Sequence, residues 1–421
     1  MPLRTADLFE ALVRCCVFSC LLVALPGAAL GQESQEPSEV TLGEGQVAQG
    51  TLLGAPGHRE VEAVRPLVTN GGRLDWSRQG KWIAYDRAGE DELYDIWLLR
   101  VEGGDSEKCL TCEHWDFKKV NALDPVWHPS GEFVFFRVQQ NARRMKLDAS
   151  KLSGPLRGMH SDIWVIDRHG KYFHQLTRAA EQGGAVVDHH ISYEGDQVVW
   201  TERLENDAGR WGTWGLRVAP LKERGGVVRF GKVKTLRPTE IPGFTMAHGF
   251  TPNDRGLLVS ALSSAGDIEN SRDLFRLELE SGQMENLTSS PRYRDAHVSV
   301  APRNSDLLVW VSDRGIQTRG RPLLPFRGDL WLLDQKTGGQ ERLTFFNDPD
   351  SDHALGHALI DDLSWSPEGD RLAIHVVSAG GTPKRRVVVK PGGSAPPPVE
   401  DLEPVVRESI QVVEFRSTFV D

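Results

Sequence analysis

The sequence predicts an all-β fold: a six-bladed β-propeller of four-stranded antiparallel blades, with the ring closed by an N-terminal strand. Three observations carry this expectation. A strand–turn–strand unit recurs six times between residues 74 and 376. A third apolar strand follows each copy, and a fourth ending in Leu-Thr follows most of them. The ending missing from the last copy stands ahead of the first.

The recurring unit reads LDWSRQGKWIAYDR (74–87), PVWHPSGEFVFFRV (125–138), HISYEGDQVVWTER (190–203), GFTPNDRGLLVSAL (249–262), VSVAPRNSDLLVWVSD (298–313) and LSWSPEGDRLAIHV (363–376). Each joins two apolar strands through a polar turn, the chemistry of a β-hairpin. The third strands are YDIWLLR (94–100), SDIWVID (161–167), WGTWGLRV (211–218), RDLFRLEL (272–279), GDLWLLD (328–334) and, more weakly, KRRVVVK (384–390). Fourth strands end at Leu110-Thr111, Leu176-Thr177, Leu287-Thr288 and Leu343-Thr344, with KTLRP (234–238) a degraded copy. Four strands repeating at roughly 40 to 65 residues read as propeller blades. An open ring would leave a long unpaired edge. Residues 62–69, containing VRPLVT, are therefore expected to complete the last blade, begun by residues 363–390.

Residues 1–31 read as a signal peptide: Arg4 and Arg14, the apolar run CCVFSCLLVALPGAAL, and a small-x-small site at Ala29-Leu30-Gly31. Nothing later is apolar enough to cross a membrane, so an exported protein, periplasmic or secreted, is expected. Residues 32–58 are a polar flexible linker, residues 59–390 the propeller, and residues 391–421 a Pro-rich linker and C-terminal tail. In that tail RESIQVVEFRSTFV is a strand or a docked segment. Residues 138–160 lengthen a loop of the second blade and are basic. The net charge of −10 is spread along the chain, which disfavours nucleic acid as a partner because phosphate binding needs a basic stripe. A monomer is expected.

Three of the five cysteines lie in the signal. Cys109 and Cys112 remain, as CLTC. In an exported chain this is expected to be a small structural disulfide, with a redox pair, free thiols or a zinc knuckle as alternatives.

The sequence of a hairpin with W-S-P-x-G, then D-[IL]-[WF], then L-T resembles the TolB-type propeller repeat of exported bacterial proteins, a relative of WD repeats. Trp365-Ser366-Pro367-Glu368-Gly369 and Asp162-Ile163-Trp164 are its clearest copies. The resemblance covers roughly residues 60 to 390 and implies the fold; the N-terminal domain of TolB has no counterpart here. Some oligogalacturonate lyases carry a related propeller, with a channel Mn²⁺ held chiefly by histidines and a further histidine as base. This chain is similar to them in its hairpin histidines and departs from them in having six blades rather than seven.

Residues just before each hairpin turn line the propeller channel. Aligned on Trp127, Ile191, Phe250, Val300 and Trp365, the position three places earlier holds Asp124, Asp188, Ala247, His297 and Asp362, with Arg73 in the first blade. Asp124, Asp188, His297 and Asp362 suit a hard divalent cation, Ca²⁺, Mg²⁺ or Mn²⁺. The alternative is a solvated polar lining paired with Arg73. Side chains alternate along a strand, so His189 and His190 point to opposite sides, and Asp188 is expected to join the axial group in their place. His189 and His248 share the other register and are candidates for a catalytic base or for structural imidazoles. In FFNDPDSDHALGHALIDD (345–362), Asp348, Asp350 and Asp352 alternate as in a calcium loop, but His353 and Leu359 stand where Gly and Glu belong. That loop is a solvated acidic segment or a looser oxygen cage. No nucleophile elbow, H-E-x-x-H or P-loop occurs.

Two functions follow. The first is a binding module without catalysis, recognising a protein, peptide or glycan through one rim of the ring. The alternative is a metal-dependent enzyme acting on polysaccharide, in the manner of an oligogalacturonate lyase.

Overall fold

The computed structural model describes residues 61–101, 106–140, 158–205, 213–236, 244–262, 271–316, 324, 326–379 and 406–416, all within one compact unit, Thr51–Asp421. Each hairpin turn is built by its own residues. The hydroxyls of Ser77, Ser192, Thr251 and Ser366 accept from backbone N–H groups across their turns. The fourth residue of the turn must be left-handed: Gly80, Gly131, Gly195 and Gly369 take it at φ 73°, 73°, 79° and 75°, and Asp254 at 56°.

The recurring Asp and Leu-Thr are a single device. Thr111 Oγ1 donates to Asp95 at 2.6 Å and accepts from the Ile96 N–H at 3.0 Å. Thr177 with Asp162, Thr288 with Asp273 and Thr344 with Asp329 repeat the arrangement. Each pair clasps the end of the fourth strand to the start of the third, where the ladder alone would fray.

Six sheets result. The first five blades begin at Gly71–Trp76, Asn121–Trp127, Val186–Ile191, Met246–Phe250 and Asp295–Ala301, and the sixth at His357–Trp365. These inner strands touch in sequence around an axis, and Gly71–Trp76 also meets His357–Trp365. One apolar cluster fills each junction between blades, as with Ile96, Phe117 and Phe136 between the first and second. Fully burying one such side chain contributes about 1.5–3 kcal/mol. No helix among the described residues is long and apolar enough to cross a membrane.

One expectation needs correction. The third strand of the sixth blade is Val406–Phe415, paired with Arg371–Ala379, so the propeller runs past residue 390; residues 384–390 lie outside the described residues. Val61–Thr69 pairs on the other side of Val406–Phe415. The third blade also carries an added hairpin, in which Thr213–Arg224 continues into Val227–Phe230.

Every inner strand breaks register with its neighbour at one level. The breaks fall between Gly71 and Leu74, Leu123 and Val126, Val187 and His189, Ala247 and Gly249, Ala296 and Ser299, and Ile360 and Asp362. These are β-bulges, which re-aim a side chain and leave backbone groups unpaired. Asp124, Asp188 and His297 adopt φ of 55°, 40° and 51° there, uncommon for residues other than glycine.

Candidate ligand channel

The bulges set Arg73, Asp124, Asp188, His248, His297 and Asp361 at one level around the axis. Arg73 is 5% exposed and reaches three other blades. Its Nε donates to Asp361 at 3.2 Å and lies 3.5 Å from Asp124, and its Nη1 donates to Asp188. Asp124 also receives Arg137 Nε at 2.7 Å. Burial works to raise the Asp188 carboxyl, but the Arg73 charge more than offsets it and holds it down at about 2.

A second layer of polar side chains supports this ring. Asp86 accepts from the backbone N–H of Arg73 at 3.0 Å and of Asp124 at 2.8 Å. Thr201 accepts from the Ala247 N–H at 3.1 Å, and Ser260 meets His248 Nε2 at 2.9 Å. His375 stands 3.9 Å from Asp361. With Arg137, these are the fifth residues of their second strands. They satisfy what the bulges leave open. The sequence reading missed this layer, though a signal was present: one polar residue ends each apolar run, as in WIAY-D, FVFF-R and LAI-H.

The axial cavity, of about 150 Å³, is lined by Arg73, Asp124, Asp188, His297 and Asp362 together with His189, His190 and His248. The alignment by turns nevertheless slips in two blades. In the sixth, Asp361 and not Asp362 meets Arg73; Asp362 accepts from the Leu74 N–H at 3.0 Å, and burial pushes its carboxyl up to about 7. In the fourth, His248 and not Ala247 occupies the bulge. His248 consequently neighbours His297, ring centroids 5.4 Å apart, rather than His189.

The paired histidines both border the cavity but lean towards different blades. His189 turns towards Phe135, Arg137 and Asp124 of the second blade, and His190 towards Ala247 and His248 of the fourth. Burial lowers His189 and His297 to about 4 and His248 well below its ordinary value, so these three are neutral at pH 7.

Asp124, Asp188, His297 and Asp362 do not bring their donor atoms within 4.8 Å of one another; among the described residues the one such group is Asp95, Cys109 and Cys112. The sulfurs of Cys109 and Cys112 are bonded to each other. At the axis, guanidinium supplies the positive charge that a cation would bring. In the 345–362 loop, Asp350 and Asp352 are exposed, and the loop is anchored by the buried Asn347, which bonds Asp329 at 3.0 Å and the Ala358 backbone at 2.9 Å.

No protein-family model and no curated protein matches the sequence. Among solved structures, the chain is similar to TolB from Acinetobacter baumannii: 17% identity over 64% of this chain and 53% of that one, TM-score 0.43. A putative TolB from Agrobacterium tumefaciens matches at 17% identity over 72% and 88%, TM-score 0.48. An oligogalacturonate lyase from Vibrio parahaemolyticus matches at 11% over 85% and 95%, TM-score 0.44. The chain thus spans about half the length of the Acinetobacter protein. The six-bladed assignment rests on the strand pairing above.

Proposed function

We propose that the chain is a binding module, and that its partner is an acidic, extended protein segment held on the outer surface of the first three blades. The observation that carries this reading is the exposure of two large aromatic residues, Trp115 at 79% and Tyr172 at 76%. Aromatic side chains left this open are favoured anchors for a partner.

Both are firmly mounted. His114, beside Trp115, bonds the Gly170 carbonyl through Nε2 at 2.7 Å, and Lys108 donates to the His169 carbonyl at 2.7 Å. The Cys109–Cys112 bridge lies between these two contacts. Tyr172 borders a groove of about 1080 Å³ whose walls include Lys171, Phe173, Val227, Arg229 and Phe230. The flanking strands Phe173–Gln175 and Val227–Phe230 each end their sheets, so an extended segment can add along an edge. Lys171 and Arg229, with no carboxylate among the residues that line the groove, favour acidic side chains in that segment.

The test is retention of the purified chain on arrays of synthetic peptides and of glycans. Acidic peptides should be retained, and Trp115→Ala or Tyr172→Ala should each weaken binding about tenfold without changing Tm. Retention by glycans alone, no retention at all, or peptide binding indifferent to both substitutions would overturn the proposal.

A further inference from the structure

Among the described residues, two neighbouring arginines, Arg272 and Arg294, have no carboxylate of their own. Arg272 opens the third strand of the fourth blade, and Arg294 immediately precedes the inner strand of the fifth. A backbone bridge sets them side by side, and the Arg272 N–H donates to the Tyr293 carbonyl at 3.0 Å. The Arg272 guanidinium lies 5.1 Å over the Phe244 ring, with Nη1 donating to the Phe244 carbonyl at 2.7 Å. Arg294 lies over Phe326 at 3.6 Å. Both are half-buried.

Among the described residues, no carboxylate oxygen comes within 4.0 Å of either guanidinium, whereas Arg73, Arg137, Arg314 and Arg342 each have one. The acids that act on Arg294 are engaged elsewhere. Asp313 accepts from the backbone N–H of Arg294 at 2.9 Å, and Asp361 holds Arg73. Two like charges held together in a half-buried setting cost energy unless an anion joins them. Burial, reinforced for Arg272 by the charge of Arg294, brings Arg272 down to about 9 and Arg294 to about 10.

We propose that Arg272 and Arg294 form a receptor for one oxyanion group, a carboxylate or a phosphate, towards the end of the channel away from the hairpin turns. They stand where strands begin at that end, whereas the axial cavity is lined by the middles and ends of inner strands, such as Leu74, Asp75, Leu363 and Ser364. A guanidinium fork matches a pair of anionic oxygens. Stacking on Phe244 and Phe326 fixes both planes in advance, so less side-chain freedom is lost when the anion arrives.

Calorimetric titration of the full chain with inorganic phosphate, and separately with acetate, at constant ionic strength tests this. Saturable binding is expected for one probe or both, and the stronger identifies the source of the oxyanion. Arg272→Gln and Arg294→Gln should each weaken binding about tenfold or more, with Arg294→Lys intermediate. Should a variant fail to fold, phenylglyoxal labelling of the unaltered protein read by mass spectrometry serves instead. The bound probe should slow modification of Arg272 and Arg294 while leaving the exposed Arg178 unaffected. Absence of saturable binding by either probe, binding unchanged by both glutamines, or binding that leaves both arginines equally reactive would overturn the proposal.

Discussion

A guanidinium withdrawn from water loses its hydration, and Arg73 replaces it with carboxylates from three other blades. Removing one partner of a buried pair leaves the others without compensation. Arg73→Met should therefore cost about 3–5 kcal/mol, measured by urea denaturation. Asp362 offers a pH test of the same site. Its folded value of about 7 lies above that of an unfolded aspartate, so the native state binds the extra proton and stability falls as pH rises from about 4 to 7. Asp362→Asn should flatten the Tm profile across that window; an unchanged slope would assign the loss to other groups. Asp188 has the opposite sign: its stabilisation is present above the unfolded value and disappears as pH falls towards about 2. The sequence made Arg73, Asp124, Asp188 and His297 legible because each keeps the same spacing to its turn. Asp361 was hidden, and His248 was assigned to the other register, because a bulge changes that count by one, which depends on backbone geometry rather than residue type.

Among the elements, the Asp–Thr clasps carry more than their recurrence in sequence suggests. Thr177→Val keeps the shape but leaves Asp162 and the Ile163 N–H short of a partner, and should cost about 1–3 kcal/mol. A loss below experimental error in thermal unfolding would mean that water replaces the hydroxyl. Cys109 and Cys112 close a very short loop, so reduction should lower stability by only about 1–2 kcal/mol, although it should blunt peptide binding at Trp115. Most strands were legible from alternation and turn chemistry. The third strand of the sixth blade was not, because KRRVVVK and RESIQVVEF are both rich in β-branched residues. Packing separates them: Ile410, Val412, Val413 and Phe415 are buried between two partner strands. Local propensity does not report that.

At the scale of the whole molecule, the sixth blade draws on segments separated by most of the chain. Deleting residues 61–69 should expose the Val406–Phe415 edge and produce aggregates on light scattering. Ending the chain at residue 405 should be worse, because Arg371–Ala379 then loses its partner as well. A monomer of unchanged Tm from either variant would show that the edge is protected in another way. The axis imposes a further condition. Arg73 of the first blade holds Asp188 of the third, and Arg78 donates to the Tyr193 carbonyl across the same gap, so blades that are not neighbours are bound to each other. In an open repeat array each unit meets only its neighbours, and units can be gained or lost by gene duplication. Here a seventh blade would widen the axis and draw Asp188 beyond the reach of one arginine side chain. A lineage carrying this network can vary its loops freely, but it cannot change its number of blades without first replacing Arg73.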